Sequence, residues 1–399
     1  MPSDAFMKRL SALKERHQRI ITKPNSPDPD WDNGIWTRYV NPVLTDEHAP
    51  IHWRYDLDEN SNPRLLERLG INAVMNSGAI YKDGTFIMMT RTEGYDRKSI
   101  FCLAESANGI DNWQFVGKPI VIPHSPVDPP DTNTYDMRLV PHEDGWIYGQ
   151  FCAERRPEGA PPHDQSAAHA DAGLCRTRDL VTWERLPNLR TPSSQQRNVV
   201  LHPELVNGKY LFYTRPMDGF IDTGTGSGIC YGFCDDMSKP EISEERIVEG
   251  RRYHTINEVK NGQGPAPIKT DKGWLHCAHG VRNTAAGLRY VLYMLVTDLN
   301  EPWKVIARPG GHVLGPRGIE RVGDVSNVLF TNGWAVRNEE VFLYYASCDT
   351  RMHVATSTID TLLDYCFNTP EDALTSHDCA IQRGELIDKN LTIMKDLGL

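Results

Sequence analysis

From residue 70 onward, apolar residues come in short β-rich runs, and successive runs are split by tight polar turns. Five segments share this form: "INAVMNSGAIYKDGTFIMMTRTEG", "YDMRLVPHEDGWIYGQFCAERR", "RNVVLHPELVNGKYLFYTRP", "GPAPIKTDKGWLHCAHGV" and "VSNVLFTNGWAVRNEEVFLYYASCD". Their turn pairs are Asp83-Gly84, Asp144-Gly145, Asn207-Gly208, Lys272-Gly273 and Asn338-Glu339. Asp-Gly and Asn-Gly are strong hairpin signals, because both central residues of a type I′ turn need positive φ; the last two pairs are weaker. The turn pairs recur at steps of 61, 63, 65 and 66 residues. A third β-rich run follows the hairpin and ends in a polar turn near an aromatic, as in "FCLAESANGIDNW", "LCRTRDLVTWERL" and "YVLYMLVTDLNEPW". Five like units of three or four antiparallel strands predict an all-β fold, a five-bladed β-propeller. A β-sandwich would not need five units at one step.

The chain ahead of the repeats has a different period. Phe6, Leu10, Leu13 and Ile20 stand among charges at helical spacing, with Ser3 or Asp4 as cap, and "TKPNSPDPDWDNG" breaks the pattern. The division expected is a helical arm and linker over 1–40 and the propeller over 41–399. The arm packs either on its own domain or on another subunit; the second reading predicts a homo-oligomer. Beyond residue 40, helical signal is confined to stretches such as "NPRLLERLG" and "TIDTLLDYCFN".

Composition narrows the partners. A formal net charge of -10 argues against nucleic acid and against an anionic membrane surface. The nine cysteines are scattered, without paired metal-ligand spacing, so neither a disulfide framework nor a metal site is expected and a reducing cytoplasm is. The first twenty residues lack the apolar core of a secretory signal, and no apolar run is long enough to span a bilayer.

In an antiparallel hairpin, the start of the first strand and the end of the second meet at one sheet edge. The polar residues at those places are Asn76 and Arg91 in the first unit, and Asp136, Arg138, Glu154 and Arg155 in the second. The third gives Arg197 and Arg215, the fourth Lys260 and His279, and the fifth Asp324, read as structural, and Asp349. If the hairpins converge on an axis, these residues line one mouth, rich in cations and poor in carboxylates. Any one cation at a strand end is ordinarily a solvated rim residue; His279 could be a hydrogen-bonded structural histidine and Asp136 a turn cap. The shared phase of all of them in five repeats favours a site. Asp136 is the candidate proton donor. Most sugar-cleaving sites need a second carboxylate, as base or nucleophile. Arg197, Arg215, Lys260 and His279 could instead hold inorganic phosphate, an anion that needs no base to activate it. One acid with a phosphate cradle is the requirement of an inverting phosphorylase.

The chain resembles glycoside hydrolase family 130 over nearly its whole length. The likeness is carried by "NGIWTRYVNPVLTDEHAPIHWRYDLDENSNP", "ERLGINAVMNSGAI", "TYDMRLV", "NGQGPAPIKTDKGWLHCAHGV", "VGDVSNVLFTNG" and "YYASCDTRMHVAT". The opening stretch is similar to the branch of that family that acts on mannosyl-glucose. The resemblance implies a five-bladed propeller with an axial site, and phosphorolysis of a β-1,4-mannosyl-glucose disaccharide by inorganic phosphate, with no cofactor. It implies Asp136 as general acid, with its proton passing through the sugar 3-hydroxyl. Arg197, Arg215, Lys260 and His279 would bind phosphate, and Asn76, Ser77, Arg91 and Asp349 the mannosyl unit. Arg138 beside the acid is read as a further sugar contact, and "GYDRKS" (Tyr95, Asp96, Arg97, Lys98) as the grip on the leaving glucose. Other branches carry Glu-Asp-Pro-Arg where this chain has Tyr-Asp-Met-Arg, so the neighbours of the acid differ. The rival readings are a phosphorylase of related β-1,4-mannooligosaccharides, a β-mannoside hydrolase on the same fold, and a sugar-binding propeller without catalysis.

Overall fold

A computed structural model describes residues 2–220 and 228–399. Among them, five sheets of four or five strands follow one another along the chain as the blades of a propeller. Blade one is built from Ile71–Lys82, Thr85–Gly94, Ser99–Ser106 and Gln114–Ile120. Blade two follows with Asn133–Pro141, Ile147–Arg155, His169–Thr177 and Glu184–Leu189. Blade three comprises Val200–Val206, Lys209–Thr214, Gly228–Cys234 and Arg246–Gly250. In blade four the innermost strand comes in two pieces, Lys260–Gln263 and Ile268–Lys269, both paired with Trp274–Thr284; Gly287–Thr297 and Val305–Ala307 complete it. Blade five has Leu329–Arg337, Glu340–Ser347 and Arg351–Thr358, and its outer strand is Thr37–Arg38 from far upstream.

The repeats pack face to face, so both faces of a middle strand are buried, and strands such as "FIMMT" read as unbroken apolar runs. Each seam has its own core. Met89, Phe101 and Leu103 of blade one meet Met137, Leu139 and Phe151 of blade two. Phe342 and Tyr344 of blade five meet Met75, Phe86 and Met88 of blade one, which closes the ring. Near the axis the strands come close enough to exclude side chains. A Cβ on Gly78 would lie 2.6 Å from the carbonyl oxygen of Met137, and one on Gly333 would lie 2.4 Å from the amide nitrogen of Ala79.

The stretch expected to be linker therefore holds part of a blade: Thr37 pairs with Thr356 and Arg38 with Ala355. Arg38 is buried and paired to Glu320, which also accepts from the Tyr345 hydroxyl at 2.7 Å. The arm is a helix, Asp4–Ile21, whose Ser3 hydroxyl accepts from the amide of Phe6. Phe6 is buried against the chain's own surface, and Arg16 pairs with Glu47.

Three local readings are corrected. "NPRLLERLG" is not helical: Leu65 has φ +46°, and the Asn62 side chain binds the backbone of Asp56 and Leu66, which holds a loop. One of the two turns expected to be weaker, Asn338-Glu339, has both residues left-handed (φ +52° and +66°), whereas Asp144-Gly145 lies in a longer loop between the paired residues Pro141 and Ile147. A long helix that the repeat pattern did not suggest, Ser376–Leu397, follows the helix Ile359–Asn368 and buries none of its residues.

Candidate active site

At one end of the axis lies a cavity of about 950 Å³, lined by all five blades. The way side chains enter it is set by backbone defects. Blades one, two and five each carry a bulge in the innermost strand at this end, at Asn76-Ser77, Asp136-Met137 and Asn332. A bulge turns one residue out of the alternating pattern and re-aims its side chain. Asn76 (φ +45°) and Asp136 (φ +60°) are left-handed at their bulges, and Asp349 (φ +51°) is left-handed just past a strand of blade five. Asn and Asp tolerate that conformation better than other non-glycine residues, which fits the residue types found.

The cavity is two-sided. On the wall made by blades one, two and five, Asn76 Nδ2 and Arg91 Nη1 each donate to Oδ1 of Asp136 at 3.0 Å. Both bonds end on Oδ1, and Oδ2 has no hydrogen-bond partner among the described residues. Arg91 also pairs with Glu93 at 3.0 Å and lies 4.6 Å from the Tyr135 ring centre. Asp349 sits in the same group. Burial pushes its carboxyl up to about 6 although Arg91 opposes the shift, and Asp136 adds to it.

The opposite wall is cationic. Arg197 donates to the Phe220 carbonyl at 3.1 Å and to the Tyr135 hydroxyl at 3.2 Å. Arg215 Nη1 lies 3.1 Å from Nε2 of His279. Lys260 lies 5.4 Å from the Tyr290 ring centre. Among the described residues, none of Arg197, Arg215 and Lys260 forms an ion pair with a carboxylate. Burial, reinforced by Arg215 and Arg197, pulls the Lys260 ammonium down to about 7, and burial pulls Arg215 down to about 10. Buried cations without counter-ions carry a desolvation cost that an incoming anion relieves.

Of the residues named from the sequence, Asn76, Arg91, Asp96, Arg97, Lys98, Asp136, Arg197, Arg215, Lys260 and Asp349 line this cavity. Four do not. Ser77 is fully buried, with its hydroxyl on the Met75 carbonyl. His279 is fully buried behind Arg215; burial holds its imidazole neutral, and accepting at Nε2 places its proton on Nδ1. Arg138 is 2% exposed beneath the floor. Tyr95 is 69% exposed outside the cavity, with its ring over Gly70, where there is no space for a Cβ. The expectation of few carboxylates is also corrected: Glu93, Glu154 and Asp324 face the cavity together with Asp96, Asp136 and Asp349. The acids cluster on one side, a division that repeat phase alone could not reveal. Sequence reasoning missed Glu93, Tyr135, Asn198, Phe220, Tyr290 and Phe330 as lining residues. Glu93 is two residues past Arg91 on the same strand face, a signal that could have found it.

The propeller thus sets an acid-bearing wall against a cationic one across its axial cavity. The sequence profile of glycoside hydrolase family 130, described as β-1,4-mannooligosaccharide phosphorylase, matches residues 48–368, and the chain belongs to that family. It is 56% identical over 391 residues to a 4-O-β-D-mannosyl-D-glucose phosphorylase of Bacteroides fragilis, covering 98% of this chain and 99% of the relative. It is 29% identical over 363 residues to a β-1,4-mannooligosaccharide phosphorylase of Ruminococcus albus, covering 86% and 96%. The fold is similar to that of a β-1,2-mannobiose phosphorylase from Listeria innocua, with a TM-score of 0.65 at 20% identity over 82% of this chain and 97% of that one.

Proposed function

We propose that the chain catalyses the reversible phosphorolysis of β-1,4-mannosyl-glucose to α-mannose 1-phosphate and glucose, with inversion at C1. The observation that carries this reading is the group of cations Arg197, Arg215 and Lys260, the second buried and the other two half-buried, which has no carboxylate partner among the described residues and shares the cavity with the Asp136 carboxylate. Phosphate held by these cations attacks the mannosyl C1. The bond from C1 to the glycosidic oxygen breaks, and that oxygen leaves with the glucose. Asp136 supplies the proton the leaving oxygen needs, through the mannosyl 3-hydroxyl, which gives up one proton as it takes another. Asn76, Arg91 and Asp349 hold the mannosyl unit, and Asp96, Arg97 and Lys98 the glucose. His279 acts on phosphate through Arg215 rather than by contact.

The identity to the Bacteroides fragilis relative supports glucose as acceptor over a longer mannan chain. A hydrolase reading has one observation in its favour: Glu154 and Asp349 in the same cavity could serve as base for water. Kinetics with each substrate varied in turn separate the two readings. Lys260→Ala and Arg215→Ala should raise the phosphate KM strongly and leave the mannosyl-glucose KM nearly unchanged, since losing one partner of a desolvated ionic contact costs about 2 to 5 kcal/mol. Wild-type phosphate KM and rate in both variants would contradict the proposal.

All nine cysteines are free thiols, eight of them buried, which supports a reducing compartment such as the cytoplasm. No helix among the described residues is long and apolar enough to cross a membrane. Self-association through the arm is supported by the helix Asp4–Ile21, which leaves Met7 about half exposed. Light scattering on a chain lacking residues 1–21 tests this: an unchanged oligomeric mass would refute a role for the arm.

A further inference from the structure

Arg138 is the most enclosed cation near the site, and the sugar cannot reach it. Among the described residues, no carboxylate lies within hydrogen-bonding distance of its guanidinium. Instead it spends its fork on four oxygens from three blades. Nε donates to the Gly264 carbonyl at 2.7 Å, and Nη2 donates to Asn198 Oδ1 at 2.9 Å and to the Gln263 carbonyl at 3.2 Å. Nη1 reaches the carbonyl of Asp136 itself, at 3.4 Å. Asn198 closes the group by donating to the same Gln263 carbonyl at 2.9 Å.

These acceptors lie on or next to the segments that carry the proposed chemistry. Asp136 is the acid. Asn198 follows Arg197, and Gln263 ends the strand that Lys260 begins. One planar group thus ties the bulge that presents the proton donor to the two segments that present phosphate-binding cations. The tie matters because the bulge is not held by strand pairing: the ladder between the two inner strands of blade two skips from Tyr135 to Arg138, leaving Asp136 and Met137 unpaired. Asp136 is also left-handed there, a conformation that persists only when surroundings enforce it.

We infer that Arg138 is a positioning residue that sets the distance between the proton donor and the phosphate cradle, acting through the backbone of Asp136 on one side and of Gln263 and Gly264 on the other. This rests on the phosphorylase reading. The requirement is for the planar fork, not for charge alone. Lysine keeps the charge but has no rigid set of in-plane donors, so it cannot serve acceptors on three blades at once.

The test is Arg138→Lys, with Asn198→Ala as a second variant that removes one acceptor and leaves the arginine in place. Steady-state constants are measured for phosphate and for mannosyl-glucose, with thermal melting to establish that each variant folds. A donor displaced by about 1 Å from its working position costs on the order of 100-fold in rate. Arg138→Lys should therefore lower kcat by roughly 10- to 100-fold while both KM values stay within about threefold. Asn198→Ala should show the same split to a smaller degree. A folded Arg138→Lys enzyme with kcat within about twofold of wild type would overturn the inference. So would a loss shared between kcat and the phosphate KM, because Arg138 would then serve the cradle and not the acid. If Arg138→Lys does not fold, Asn198→Ala decides on the same criteria. Phosphate dependence of the wild type, read in the same series, reports separately on the phosphorylase reading.

Discussion

Asn76 donates to Asp136 at 3.0 Å across the seam between blades one and two, and the two residues hold the same place in their repeats. Each is the first residue of a two-residue bulge in an innermost strand, and each is left-handed. The repeat thus presents an amide and a carboxyl from equivalent positions, and the amide fixes one oxygen of the carboxyl. Replacing the acid by its amide tests what the carboxyl adds. Asp136→Asn keeps the shape and a residue type that accepts positive φ, so its melting temperature should stay near that of the wild type. Phosphorolysis should fall by about 10² to 10⁴-fold, the usual contribution of a general acid. A folded variant with near-normal turnover of mannosyl-glucose would show that Asp136 is not the donor.

Asp349 lends itself to a pH test of stability. Its carboxyl is raised from 3.8 to about 6 by burial, with Arg91 opposing and Asp136 adding. Between those values the folded chain keeps a proton that the unfolded chain has lost, so this group's contribution to stability falls as pH rises through that window. Asp349→Asn carries no such charge. The melting temperature of the variant relative to wild type should climb across the window and level off above it. A difference independent of pH would mean that Asp349 is not held in this way.

If Lys260 holds phosphate as proposed, phosphate binding is a proton-linked event. Its ammonium is pulled down to about 7 by burial and then by Arg215 and Arg197. Above that pH the empty site holds it largely neutral, and a bound anion restores the charge. At about pH 8, calorimetry in buffers of different ionisation enthalpy should show uptake of up to about one proton per phosphate bound. Lys260→Met should abolish most of that uptake and weaken binding. Equal uptake in the two proteins would assign the proton to another group.

Arg38 secures the outer strand of blade five. The strand Thr37–Arg38 completes blade five, and the Arg38 guanidinium meets Glu320 where both are less than 10% exposed. Glu320 is held in turn by the Tyr345 hydroxyl and by the Arg317 amide at 2.9 Å. Arg38→Ala would leave a buried carboxylate without its cation, which costs about 3 to 5 kcal/mol. Denaturant unfolding should show a loss of that size, whereas Arg16→Ala, whose pair with Glu47 is exposed, should cost about 1 kcal/mol or less.

The propeller was legible because its evidence is local and repeated: apolar runs, turn pairs and a near-constant step appear five times in the chain. The lining of the mouth followed in part from hairpin geometry, which brought Arg91, Arg197, Arg215, Lys260 and Asp349 to one end. Depth was not legible. Arg138 and His279 share the phase of the lining residues but lie beneath them, and phase along a strand does not distinguish cavity wall from floor. The tie between Thr37–Arg38 and blade five was hidden because a two-residue strand more than three hundred positions from its partner leaves no local pattern. Tyr95 was misplaced for the opposite reason. It belongs to the right loop, but its ring lies over Gly70 and faces solvent.

The measurement closest to the central claim is a time course on mannosyl-glucose, with and without inorganic phosphate, followed by phosphorus and proton magnetic resonance. With phosphate, mannose 1-phosphate should appear as the α anomer in step with free glucose, and omitting phosphate should stop glucose release. Free mannose formed at the same rate in both reactions would contradict the account, because water would then be the nucleophile and the cations of blades three and four would have another purpose.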